Sequence, residues 1–164
     1  MKKIIYSLLL ACGVASAALA QDTNSSTVSL FKGNELALPL GFNYNDAKDA
    51  KFAPVIGVTY FITKNLGVRG TTTINVQDAT AFDNADLLVL ARLPIYAVAP
   101  YIGGGARFQA SAEDKWSPIL VGGVEVRLNK KWGLFAEARH DFDGGENINY
   151  KDWSFRGGVN LVLW

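Results

Sequence analysis

The chain has 164 residues, with sixteen basic and fifteen acidic side chains, one cysteine and 49% hydrophobic residues. Near-neutral charge removes any bulk electrostatic case for nucleic acid, the length suits a single domain, and a lone cysteine leaves no internal disulfide to staple the fold. Beyond the first residues no run approaches the ~20 uninterrupted apolar residues that a membrane helix needs, so any crossing of a bilayer falls to strands.

In chain order, Lys2 and Lys3 precede an apolar run over 4–10, and small residues lead up to Ala18, Leu19 and Ala20. This is the layout of a secretory signal peptide over residues 1–20, cleaved before Gln21. Cleavage removes both lysines and Cys12, leaving 144 of the 164 residues with fourteen basic against fifteen acidic groups, a net charge of −1. Leu9, Leu10, Ala11 and Cys12 also resemble the box at which bacterial lipoproteins are acylated on cysteine; on that alternative the mature chain starts with the apolar stretch from Gly13 to Ala20. Residues 21–34, rich in Ser, Thr and Asn, read as a periplasmic lead whose Val28, Leu30 and Phe31 are placed to meet the rim of the domain that begins at residue 35.

From residue 35 the sequence divides into eight stretches rich in Val, Ile, Leu, Thr and aromatics, bounded by Gly, Asn, Asp, Lys or Pro: 35–44, 52–62, 66–76, 85–93, 98–109, 116–128, 132–142 and 153–164. These lengths match the ~9 to 11 residues of a tilted membrane strand. Connections at 63–65, 94–97 and 129–131 are short, whereas 45–51, 77–84, 110–115 and 143–152 are longer. Alternating short turns and longer loops is the pattern of an eight-stranded antiparallel up-and-down transmembrane β-barrel occupying residues 35–164.

Strand side chains alternate between two faces, and the charges sort with that alternation. One face runs through Leu36, Leu38, Leu40, Phe42, Ile56, Val58, Tyr60, Leu120, Val124, Val126, Leu134, Val159, Leu161 and Leu163 without an Asp, Glu, Lys or Arg. The other carries Arg69, Asp86, Arg92, Arg107, Glu125, Arg127, Glu137, Arg139, Asp141 and Arg156, which include every arginine of the chain. All lysines beyond the signal fall outside these stretches. A soluble barrel turned the other way gives the same alternation, so the pattern alone does not say which face is inside. Three features place the charges in the lumen: the signal peptide, the choice of Arg, whose planar fork pairs bidentately with carboxylates in a crowded interior, and the aromatics.

Those aromatics gather at stretch ends. Phe42, Tyr44, Phe52, Phe108, Trp116, Phe142, Trp153 and Phe155 lie towards the longer loops, and Tyr60, Tyr96, Trp132 and Trp164 towards the short turns. Two such belts suit headgroup levels on both sides of a hydrocarbon layer. Glycines at 103–105, 122–123 and 157–158 supply the kinks that a tightly curved barrel needs. Pro39, Pro54, Pro100 and Pro118 lack an N–H for the ladder, so bulges or strand ends are expected there.

With its signal, eight alternating segments, the seventh stretch from Gly133 to Arg139 and an aromatic end at Trp164, the chain resembles the small bacterial outer-membrane barrels: the OmpA membrane domain, OmpX and the opacity-type surface proteins. The resemblance implies the outer membrane as location, its lipid as surroundings, and recognition of the last strand by the barrel-assembly machinery. Trp164 departs in phase from the apolar row of Val159, Leu161 and Leu163.

A lumen of eight strands is only wide enough to be filled by side chains, so six arginines and four acids predict a salt-bridge plug in a monomer, without cofactor, metal or catalytic centre. The alternatives are a narrow porin-like channel for ions or small solutes and a soluble periplasmic barrel that binds a hydrophobic ligand. An outer-membrane lipid hydrolase of barrel form needs a His–Ser pair; the one histidine, His140, sits by parity on the face opposite Ser117 and Ser154, which argues against a general-base contact. Oxygen ligands over 143–147 are dense enough for Ca²⁺ but lack a motif of defined spacing.

Overall fold

The computed structural model describes residues 29–44, 52–74, 84–109, 115–142 and 153–164. The signal segment with Cys12, Val28, and the candidate Ca²⁺ stretch 143–147 lie outside the described residues. Eight strands form one sheet: β1 (Glu35–Tyr44), β2 (Phe52–Phe61), β3 (Leu66–Thr73), β4 (Asn84–Arg92), β5 (Val98–Gln109), β6 (Lys115–Arg127), β7 (Trp132–Asp141) and β8 (Trp153–Val162). Each pairs antiparallel with its sequence neighbours, and β1 pairs with β8 to close an all-β barrel in simple up-and-down order. Closure leaves no free edge, which in an open sheet would expose a row of unpaired backbone groups. β6 opens at Lys115, so this lysine falls inside a strand, against the expectation that all lie between them.

Each ladder keeps a single register along its length; β5 and β6, for example, stay paired from Val98 with Val126 to Gln109 with Lys115. The bulges expected at the prolines are therefore absent among the described residues, and the hydrogen-bond direction explains why. The carbonyls of Pro54, Pro100 and Pro118 accept from Ile74, Leu93 and Phe142, residues just past the ends of β3, β4 and β7. A residue's N–H and C=O point to the same side of a strand, so each missing donor faces a rung where the ladder already ends. Pro39 is different. Leu36 bonds to the β8 side through Trp164 and Leu163, which turns the nitrogen of Pro39 towards β2, and the β1–β2 ladder skips Leu38 and Pro39.

Side-chain direction separates two chemistries. Outward are Leu40, Phe42, Ile56, Val58, Tyr60, Leu66, Val68, Leu87, Val89, Ile102, Leu120 and Leu134, all exposed. Inward are every arginine, their carboxylate partners and an apolar cluster of Phe61, Leu88, Leu90, Tyr101, Ile119 and Val121. The barrel is thus polar inside and apolar outside, the reverse of a water-soluble sandwich.

Curvature dictates the glycines on the inner surface. A Cβ at Gly123 falls 2.6 Å from the carbonyl oxygen of Ala136 and 2.7 Å from the ring and hydroxyl of Tyr101, its partner across β5 and β6. A Cβ on the outward Gly122 has nothing within 4 Å. The inner glycine is a slot for an aromatic ring, and Phe61 covers Gly67 in the same way across β2 and β3.

Candidate functional site

The lumen is the one place where the described residues concentrate chemistry, and its charged side chains form three connected layers. At the turn end, Glu35 receives Arg92 Nη1 at 3.1 Å and is paired with Arg127, whose Nε also donates to Glu125. Arg92 further donates to the carbonyls of Lys64 and Lys32 at 2.8 and 2.9 Å. Its guanidinium carbon lies 3.4 Å from the centroid of Phe61, and the ring of Phe31 lies 4.8 Å from both Arg92 and Arg127.

Phe31 comes from the lead and is buried. Leu30 N–H donates to the Tyr96 carbonyl, and Asn34, at φ 55°, turns the chain from beneath the barrel into β1 while its side chain accepts from the Tyr60 hydroxyl. Asn tolerates this left-handed conformation better than other non-glycine residues. The lead therefore lays an aromatic ring under two guanidiniums and covers the turn end of the lumen.

In the middle layer Arg69 Nη1 donates to Glu137 at 2.7 Å and its Nε to Thr59 at 3.0 Å. The Tyr101 hydroxyl donates to the same Glu137 oxygen at 2.7 Å, and Arg69 lies over the rings of Tyr101 and Phe135 at 5.3 and 5.9 Å. A buried guanidinium is thus held by one carboxylate, one hydroxyl and two ring faces, satisfying both its charge and its planar surface.

At the loop end the hub is Asp86. Its Oδ1 accepts from Arg107 Nε at 2.7 Å; its Oδ2 accepts from Arg156 Nη2 at 3.0 Å and the Thr71 hydroxyl at 3.1 Å, with Arg139 Nη1 at 2.9 Å. Arg107 also pairs with Asp141, and Arg156 donates to Asn43, Thr71 and Thr73. The links cross the barrel: Asp86 on β4 draws in arginines from β5, β7 and β8.

The structure brings Arg69, Asp86, Arg92, Arg107, Glu125, Arg127, Glu137, Arg139, Asp141 and Arg156 into this one interior. It adds Glu35, which makes five acids rather than four and bridges two arginines. Parity identifies Glu35, since it precedes Leu36 on the uncharged face; its place as first residue of a strand, beside a polar lead, obscures it. The same parity puts Tyr101 with Arg107, Phe135 with Glu137 and Phe61 opposite Tyr60, but an aromatic has no charge to mark it as a member of the ion-pair network.

Of the end-of-strand aromatics, Phe42, Phe52, Tyr60, Tyr96, Trp116, Trp132, Phe142 and Trp164 are exposed and Tyr44, Phe108, Trp153 and Phe155 half-buried. Tyr44 with Phe52 and Phe108 with Trp116 form tilted pairs at 5.2 Å. His140 lies on the outward side yet is buried, edge-on to Phe142 at 4.6 Å and against Trp153 at 5.0 Å. Ser117 and Ser154 are buried on the inner side, so a contact with His140 would have to pass through the sheet. Among the described residues no three His, Cys, Asp or Glu cluster as metal ligands would.

No protein-family model matches the chain, and no curated protein matches it in sequence. Solved structures do match. The N-terminal β-barrel domain of OprF from Pseudomonas aeruginosa aligns at 12% identity over 80% of this chain and 99% of that one, with a TM-score of 0.62. The outer membrane protein OprG from Pseudomonas aeruginosa aligns at 13% identity over 83% and 99%, TM-score 0.61. The de novo designed protein TMB2.3 aligns at 13% identity over 81% and 97%, TM-score 0.63. At these identities the likeness is one of fold: a small closed eight-stranded barrel.

Proposed function

We propose that this chain is an exported, monomeric outer-membrane barrel whose arginine–carboxylate interior closes the lumen, and that it serves the envelope as a structural or surface-interaction component rather than as an enzyme. The observation that carries this is the inverted distribution of side chains. Large apolar residues are exposed on the outward side of β1 to β7 and half-buried on that of β8, while six arginines and five acids face inward. A water-soluble monomer rarely exposes a contiguous apolar patch beyond a few hundred Å², whereas a hydrocarbon layer demands such a wall. The two rims of aromatics match the headgroup levels, and the closed ladder meets the demand that every backbone group in hydrocarbon be paired.

For the lumen, the cross-barrel ion pairs and the lead residue Phe31 under the turn end support a plug. Arg69, Arg92, Arg127 and Arg139 are all buried, and the side chains of Glu35, Glu125 and Glu137 fill the space between them. In this reading the partners are outer-membrane lipid and, through β8, the barrel-assembly machinery.

Membrane fractionation with proteolysis of intact cells tests the location. The expected result is a heat-modifiable, detergent-requiring species in the outer-membrane fraction, cleaved only in the longer connections; a detergent-independent periplasmic protein refutes it. Planar-bilayer recording tests the plug: no steps are expected from the native chain, and steps abolished by changing Arg92 or Glu137 would establish the narrow channel instead.

A further inference from the structure

The three lumen layers are not balanced alike. At the turn end two arginines, Arg92 and Arg127, meet two acids, Glu35 and Glu125, and in the middle Arg69 meets Glu137. At the loop end Arg107, Arg139 and Arg156 share only Asp86 and Asp141, which leaves one positive charge in excess among the described residues.

The excess has an address. Asp86 Oδ2 already faces the Thr71 hydroxyl and Arg156, and Arg139 reaches it without hydrogen-bond geometry. Arg139 Nε stands 3.7 Å from Glu137, a carboxylate already committed to Arg69. Arg139 is wholly buried; its one close counter-charge is Asp86 Oδ2, 2.9 Å from Nη1 but poorly aligned, and its Nε and Nη2 have no hydrogen-bond acceptor. Directly opposite Arg139 in the β7–β8 register stands Ser154, also buried, with its hydroxyl unpartnered. Facing residues on one side of a sheet have Cβ atoms about 5 Å apart. Three guanidiniums around two carboxylates leave a buried positive charge incompletely compensated, a costly arrangement in a protein interior.

We propose that the loop end of the lumen binds a small inorganic anion of halide size between the Arg139 guanidinium and the Ser154 hydroxyl. Such an ion supplies the acceptor that these donors lack and neutralises the third arginine around Asp86. A water molecule does only the first. The turn end provides the contrast: its orphan atoms are a donor, Arg127 Nη1, and an acceptor, Asn160 Oδ1, on strands that both pair with Gly133. In that neutral layer a bridging water is sufficient.

The test uses the full exported protein, purified from membranes in a zwitterionic detergent and crystallised in sodium bromide, with diffraction recorded at the bromine edge. The expected result is one anomalous peak inside the barrel, within hydrogen-bonding distance of Arg139 and of Ser154 Oγ. Water alone at that position, a carboxylate from residues 143–152 against Arg139, or bromide confined to the outer surface overturns the proposal. Chloride-35 line broadening in solution near physiological salt provides the second measurement: Ser154→Ala should lower the excess broadening at least twofold and Arg139→Gln abolish it. Broadening unchanged in a folded Ser154→Ala barrel, or absent from the native protein, refutes the site even if Arg139→Gln does not fold.

Discussion

Replacing Glu137 with leucine isolates the central layer of the lumen. The side chains of Glu137 and Arg69 are each 2% exposed, so water cannot take over the lost contacts. Glu137 accepts from Arg69 Nη1 and from the Tyr101 hydroxyl, both at 2.7 Å. Hydrogen bonds to a charged group contribute about 1.5–3 kcal/mol each, and stranding the partner of a buried ion pair costs about 3–5 kcal/mol. These are two views of one energy, and the expected loss is about 3–5 kcal/mol, a large part of the ~5–15 kcal/mol that holds a typical domain folded. Thr59 and the rings of Tyr101 and Phe135 remain around Arg69, but none supplies a negative charge.

Adding Arg69→Met removes the stranded charge and leaves an apolar layer continuous with Leu88, Leu90 and Val121. The double variant should recover all but about 1–2 kcal/mol, the remainder being the unpartnered Tyr101 hydroxyl and the lost Glu137 charge 3.7 Å from Arg139 Nε. Reversible urea unfolding in lipid vesicles measures all three variants, read by the fluorescence of Trp116, Trp132 and Trp164, which are exposed on the outside of the barrel. A Glu137→Leu loss below about 1 kcal/mol, or a double variant as unstable as the sum of the singles, would refute the view that these charges hold one another in place.

Gly123→Ala should destabilise by about 1–3 kcal/mol, because the new methyl meets both the Ala136 carbonyl oxygen and the Tyr101 ring, while Gly122→Ala one residue away, with nothing within 4 Å, should shift the same unfolding midpoint hardly at all; equal effects would remove the slot interpretation. Val89→Arg, half exposed and midway along β4, is expected to cost about 2–4 kcal/mol in vesicles if this wall meets hydrocarbon, and a neutral result there would favour the soluble alternative. Phe31→Ala removes the ring beneath Arg92 and Arg127 and should lower stability by about 1–3 kcal/mol, with faster hydrogen exchange at the turn-end amides by mass spectrometry; unchanged exchange would show that the lead is not a cover.

Much of the barrel is legible in the alternation of its residues. A period of two, broken eight times by turn residues, requires strands, and β1 and β5 begin and end where the pattern does. The sorting of Arg69, Asp86, Glu137 and Arg156 onto one face comes from the same period, since adjacent strand positions point to opposite sides. Periodicity is indifferent to inversion, however. Whether Leu87 or Asp86 faces the interior depends on the sign of the sheet's curvature, and that sign belongs to the closed barrel rather than to any strand.

Partnership is likewise a tertiary property. Glu35 meets Arg127 across 92 positions of sequence and Arg69 meets Glu137 across 68, separations set by strand tilt and register on the closed cylinder and carried by no local signal. The aromatic rings that cover lumen glycines, and the prolines seated where a neighbouring strand has ended, also have meaning only against their partners. The amino-acid order by itself determined that this chain makes strands with one charged and one uncharged face. Closure of the sheet into a small eight-stranded cylinder decided that the charges lie inside and pair with one another.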